Sequence, residues 1–245
     1  MIKLLILILI LIFVLIYLKR KVKVELVVAR YNENLDWLNN NEYPVIVYNK
    51  GNNNDFVKKN VYQIVKLPNV GREFQSYLYH IIQNYYSLKE ITIFLPGSVD
   101  LPHKMIKLEK ILNEIKNNNK KTVVVCNHRR TNIKNELYDF TLNEWESTDA
   151  KNKELNQTNK LKLASIQPFG KWYTHHFNDV PTTCENTNLI FAMSKEDILK
   201  KPRSYYKKLI KEIDDHSNPE TGHYFERSVE AVFYPIDQNS LVNLF

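Results

Sequence analysis

Several short runs of almost uninterrupted apolar residues mark the first half of the chain. They are Val24-Glu25-Leu26-Val27-Val28-Ala29, Pro44-Val45-Ile46-Val47-Tyr48, Val61 to Leu67, Ile91 to Leu95 and Thr122 to Cys126. Runs of this length without strict alternation suit strands covered on both faces, as in a parallel sheet. Other apolar positions recur at helical spacing: Phe74, Tyr77, Leu78, Ile81, Ile82 and Tyr85; Leu108, Ile111, Leu112 and Ile115; Tyr206, Leu209, Ile210 and Ile213; and Phe225, Val229, Val232 and Phe233. Strand alternating with helix predicts one α/β domain over residues 22–245, with a mostly parallel sheet flanked by helices. The stretch near 131–168 is polar and weakly periodic and reads as a long loop or insertion.

The beginning of the chain has a different pattern. Leu4 to Leu18 is unbroken apolar sequence, followed by Lys19-Arg20-Lys21-Val22-Lys23. The run is shorter than the roughly 20 residues a spanning helix needs, but Ile2 and the stem of Lys3 extend it, and Lys19 and Arg20 can snorkel. It offers no small residues as a cleavage site, so residues 1–21 are expected to form a retained single-pass transmembrane anchor. Two signals disagree on its orientation. The basic flank places the body on the cytosolic side, while the acceptor sequon Asn156-Gln157-Thr158 points to a lumenal body.

Composition narrows the function classes. Lysine and arginine exceed the acidic residues 34 to 27, giving +7, but the surplus is scattered along the chain. This suits a solvated surface, and no nucleic-acid partner is expected. Two cysteines, Cys126 and Cys184, match no metal or redox spacing. They read as buried free thiols, with a single disulfide in a secretory lumen as the alternative.

Ligands of open α/β sheets bind beyond the carboxyl ends of the strands, so the segments after each strand deserve reading first. They are Arg30-Tyr31-Asn32-Glu33, Asn49-Lys50-Gly51, Pro68-Asn69-Val70-Gly71-Arg72-Glu73 and Pro96-Gly97-Ser98-Val99-Asp100. Asn69 is a plausible N-cap or pre-cap residue, Gly71 permits a tight turn, and Arg72 offers a fork suited to phosphate or carboxylate. A pairing of Arg72 with Glu33 or Glu73 as scaffolding is the structural alternative. Nearer the end of the chain, Glu226 and Glu230 would share one helix face at i,i+4, with His223 one turn before Glu226. A carboxylate and an imidazole so placed suit general-base chemistry or a metal, while an ordinary solvated face with Arg227 as partner is the simpler reading.

These same residues carry a resemblance. Val27 to Leu38, Ile46 to Gly51, Leu67 to Glu73 with Tyr77-Leu78, Ile93 to Gly97, Phe191 to Ser194 and Tyr224 to Ser228 resemble, in order, the domain-of-unknown-function family 3431. The layout is also similar to nucleotide-sugar-dependent glycosyltransferases of the A-type fold. That similarity implies a nucleotide-sugar donor and a glycan or protein acceptor. Arg30, Tyr31, Asn32, Glu33, Asn69, Gly71, Arg72 and Gly97 would hold the donor, with Glu226 and His223 catalytic. Such enzymes usually carry Asp-x-Asp after the fourth strand to hold Mn or Mg, and here Asp100 is the lone acid, a weak metal candidate. The alternative is a non-catalytic carbohydrate- or nucleotide-binding module. A hydrolase of another kind, using His103, Asp100 and Glu226, is a third reading.

Overall fold

A computed structural model describes residues 23–144 and 160–245. The transmembrane anchor expected over 1–21 and the Asn156 sequon lie outside the described residues. Among the described residues, no helix is long and apolar enough to cross a membrane.

The five apolar runs form strands β1 (Val24–Arg30), β2 (Val45–Asn49), β3 (Val61–Lys66), β4 (Ile91–Pro96) and β5 (Val123–Cys126). Two further strands, β8 (Phe191–Ser194) and β9 (Leu241–Asn243), complete a seven-stranded sheet of order β3-β2-β1-β4-β8-β5-β9. Only β8 runs antiparallel to its neighbours. A small ribbon of β6 (His128–Arg129) and β7 (Cys184–Glu185) stands apart.

Alternate side chains of each central strand enter opposite cores. Val27, Ala29, Ile46, Tyr48, Phe94 and Phe191 face one. Leu26, Val28, Val45, Val47, Ile93 and Leu95 face the other. Both sets are buried, so the strand sequences cannot alternate with polar residues. The first core lies under α1 (Arg72–Asn84) and the later helices: α4 (Phe169–Phe177), α5 (Lys195–Leu199), α6 (Arg203–Leu209), α7 (Glu220–Glu226) and α8 (Val229–Val232). It is rich in rings; Phe74 of α1 stacks on Phe225 of α7 with centroids 4.6 Å apart. The second core lies under α2 (Pro102–Asn118), which supplies Leu108 and Ile111. The sheet is therefore covered by helices on both faces.

In the region near 131–168 the described residues include a short helix, α3 (Ile133–Glu136), and are tied down by Glu220. That buried carboxylate accepts from the amides of Leu142 and Ala164, the Gln167 side chain and the Tyr224 hydroxyl. The apolar stripe from Phe225 to Phe233 is not one helix. It breaks at Arg227–Ser228, between α7 and α8. Cys126 and Cys184 are not free thiols; they form a disulfide closing 58 residues of sequence and joining the end of β5 to β7.

Candidate functional site

The chain moves outward from β1 to β2 to β3, then returns to the other side of β1 with β4. A sheet that reverses in this way opens a crevice between the carboxyl ends of the two strands at the reversal. Here those ends are Arg30 and Pro96. The Gly97 amide donates to the Ala29 carbonyl at 2.7 Å, which carries the β1–β4 pairing to the rim.

Glu33 sits on that rim. Its carboxylate accepts the Tyr31 amide at 2.7 Å and lies against Gly97. A β-carbon on Gly97 would come within 2.6 Å of Glu33 Oε2, so the absent side chain makes room for the carboxylate. Burial pushes the Glu33 carboxyl up; its own and the Tyr31 backbone amides and the charge of Lys104 pull it down, and Glu73 adds to the rise. Lys104 donates to Ser98 Oγ at 2.7 Å, and the Trp37 indole donates to the Gly97 carbonyl at 3.0 Å.

Arg30 has a different position from the one expected of a ligand contact. It is 1% exposed, and its guanidinium donates to the Glu33 carbonyl, Asn49 Oδ1, and the backbone and side-chain oxygens of Asn53. The plane also covers the Phe56 ring at 4.5 Å. Arg30 thus braces the loops after β1 and β2 and holds Glu33 in place. Asn32 Oδ1 accepts the Asn52 amide at 3.2 Å within the same arrangement.

The turn after β3 forms the second wall. Gly71 occupies the N-cap of α1 with φ 62°, and Arg72 follows at φ 49°. Two successive left-handed residues need glycine at the tighter one, where a β-carbon would meet the Ile213 carbonyl at 2.1 Å. Asn69 is therefore not the cap; Gly71 is, without a side-chain cap bond. The Gly71 amide is held by the His216 carbonyl at 2.7 Å. Behind the turn, the buried Lys50 ammonium donates to the carbonyls of Val70 and Arg72. Burial pushes Lys50 down to about 7, against the opposing charge of Glu73. Nothing in the pattern Asn49-Lys50-Gly51 marked this lysine beyond its place at a strand end.

Arg72 reaches across the crevice to α7. Its Nη1 donates to Asn218 Oδ1 at 3.2 Å and its Nε is 3.7 Å from Glu73. On α7, Glu226 Oε2 lies 3.5 Å from His223 Nδ1 and 3.7 Å from Arg227 Nη1. Burial raises the Glu226 carboxyl, but the hydrogen bond and charge of His223, then the charges of Arg72 and Arg227, outweigh it and hold it at about 2. Lys107 also feels Glu226; burial takes its ammonium down to about 8, and Asn127 and Thr187 satisfy it.

Glu230 does not share this site. It is fully buried beyond the helix break and accepts the amides of Thr183 and Cys184 at 2.7 and 2.9 Å. Asp100 and His103 are exposed at the start of α2. Among the described residues, no group of three His, Cys, Asp or Glu is placed to hold a metal ion.

The rim thus gathers Lys50, Arg72, Lys104 and Arg227 against Glu33, Glu73 and Glu226. Arg227 Nε also lies 3.6 Å from Glu185, so cations and carboxylates are close to balanced along the rim. Fold and rim together define an α/β protein with a charged crevice at the reversal point of its sheet. The chain belongs to the family described as Protein of unknown function (DUF3431), whose model matches residues 26–240 and so spans every rim residue named above. No curated protein matches the chain.

Proposed function

We propose that the chain is a membrane-anchored, glycosyltransferase-like enzyme that takes a nucleotide-sugar donor in this crevice and transfers the sugar to a glycan or protein acceptor. The observation that carries the reading is the left-handed Gly71–Arg72 turn, backed by the Lys50 ammonium and facing Glu226. A turn of this kind with two cations beside a helix start suits a diphosphate. Tyr31, Asn32 and Glu33 would then border the nucleoside end, and Gly97 would let the donor approach the sheet.

In the transfer, the acceptor oxygen bonds to the anomeric carbon as the bond to the diphosphate oxygen breaks. The diphosphate leaves with the electron pair, met by Arg72, while Lys50 holds the turn from behind. A carboxyl held at about 2 is a weak base near neutral pH, so Glu226 is better suited to steadying a cation than to taking the proton. In its neutral form the His223 imidazole takes the acceptor proton, and Glu226, 3.5 Å from Nδ1, stabilises the imidazolium that forms. No step is assigned to a metal ion.

The anchor over residues 1–21 is part of the same proposal, supported by the apolar run and its basic flank. The Cys126–Cys184 disulfide favours a body on the oxidising side of the membrane. A second reading, a binding module without turnover, draws on the low Glu226 carboxyl. A thermal-shift screen of nucleotide sugars, with and without manganese, followed by turnover assays on any donor that binds, separates the two. Stabilisation with turnover supports the enzyme, stabilisation alone supports the module, and no stabilisation by any nucleotide sugar contradicts both.

A further inference from the structure

We propose that Lys104 is a ligand contact of the crevice: its ammonium, buried at the start of α2, binds an oxygen of the donor's diphosphate. For the identity of the anion this rests on the donor reading above.

The cations around the crevice differ in how fully their donors are satisfied. Lys107, 1% exposed, gives its ammonium to Asn127 Oδ1, the Thr187 carbonyl and Asn188 Oδ1, so three protons have three acceptors. Lys50 holds the carbonyls of Val70 and Arg72. Arg227 donates to the His223 carbonyl and lies beside Glu226 and Glu185. Lys104 is the exception. It is 7% exposed, and among the described residues its ammonium meets one acceptor, Ser98 Oγ, and pairs with no carboxylate. That hydroxyl is neutral and takes one proton of three. A charge withdrawn from water with so little replacement is costly, and an anionic oxygen arriving beside it removes the cost.

The position suits that role. The chain leaves β4 through Gly97-Ser98-Val99-Asp100-Leu101, and Lys104 lies in the first turn of α2. Helical side chains lean toward the start of their helix, which here is the carboxyl edge of the sheet. Ser98 receives the ammonium one residue past Gly97, the glycine on the crevice floor. Glu33 and Lys107 both feel its charge, yet the Glu33 carboxylate is held by the Tyr31 amide and makes no ion pair with it. The first turn of α2 contains no acid, and Leu101 gives it no side-chain cap. Because α1 covers one core and α2 the other, Arg72 and Lys104 approach the sheet reversal from opposite faces. A diphosphate seated over Gly97 therefore meets a cation from each layer.

The test is titration calorimetry of the full chain in detergent, with inorganic pyrophosphate as probe and a panel of nucleotide sugars beside it. Native protein is compared with Lys104→Met and with Lys104→Gln, which keeps a donor for Ser98 but removes the charge. Pyrophosphate affinity should fall about tenfold or more in both variants, the range for a hydrogen bond to a charged group. Without ligand, the denaturant midpoint of Lys104→Gln should equal or exceed that of native protein. Equal pyrophosphate affinity in native and variant proteins overturns the proposal and leaves the anion site to Arg72. A lowered midpoint at unchanged affinity does the same and makes Lys104 a brace for the Ser98 turn. Loss of pyrophosphate binding in the variants, with no nucleotide sugar bound by native protein, supports Lys104 and overturns the donor reading. If folded native protein binds neither probe, the anion site fails and the proposal fails with it.

Discussion

Glu33 Oε2 would lie 2.6 Å from a β-carbon on Gly97, so the Glu33 carboxylate occupies the space a side chain at position 97 would need beside the β1–β4 reversal. Gly97→Ala must displace the Glu33 carboxylate, the end of a side chain, whose Oε2 and Cδ would lie at 2.6 and 2.8 Å, with the Ala29 carbonyl following at 3.3 Å. The cost in stability should be modest, about 1 kcal/mol, because a side-chain tip can yield where backbone cannot. The effect on the crevice should be larger: at least a tenfold loss of nucleotide-sugar affinity by calorimetry. Unchanged affinity in a folded Gly97→Ala protein would remove Glu33 from the site.

Lys50 gives stability and binding opposite pH dependences. Its folded value, about 7, lies below that of an unfolded lysine, so the unfolded chain binds more protons between about pH 7 and 10. Its contribution to stability therefore rises with pH across that window, by up to about 1.4 kcal/mol per unit. The ammonium that backs the anion site is lost over the same range, so diphosphate binding should weaken above pH 7. Denaturant midpoints and binding isotherms for the native protein and Lys50→Met, compared from pH 6 to 9, check both slopes. The variant should lose each.

Arg72→Ala should weaken nucleotide-sugar binding by about 1.5–3 kcal/mol, the range for a hydrogen bond to a charged group. Folding should change little, since the side chain is partly exposed. An unfolded variant with residual binding intact would make Arg72 scaffolding.

Within the C-terminal cluster, His223→Asn should lower turnover by a factor on the order of a hundred or more with donor affinity nearly unchanged. Glu226→Gln should reduce turnover less and shift the pH–rate profile. Glu230→Gln belongs to another category: it weakens the acceptor for two buried amides, so it should cost about 1–3 kcal/mol of stability. Equal kinetic losses for Glu226→Gln and Glu230→Gln, at equal stability, would contradict these assignments.

Replacing both Cys126 and Cys184 by serine should lower stability by about 2–4 kcal/mol, as expected for opening a loop of this length. Denaturant titration of the oxidised protein and the double variant measures it directly.

Much of this architecture is legible in the chain because burial on both faces forces continuous apolar strands, as in Val24–Arg30 and Ile91–Pro96. β8 and β9 are less legible. They have four and three residues, too few for a period to show. The break between α7 and α8 is hidden because Phe225, Val229, Val232 and Phe233 all remain in the core, so the apolar stripe continues through a helix that does not. The strand-end rule found the rim but could not apportion it. Arg30 and Lys50 both follow strands, and only tertiary contacts show that each is turned inward to hold backbone. Pairing of the cysteines is equally invisible, because β5 and the separate β6–β7 ribbon meet only in the folded chain.

The central claim is that the rim binds the diphosphate of a nucleotide sugar. Titration calorimetry of the full chain in detergent, with a panel of uridine and guanosine diphosphate sugars at pH 6.5, tests it most directly. At least one donor should bind in the micromolar range, with its affinity falling at least tenfold in Arg72→Ala. Failure of every donor to bind a folded protein, or equal binding by native protein and Arg72→Ala, would contradict it.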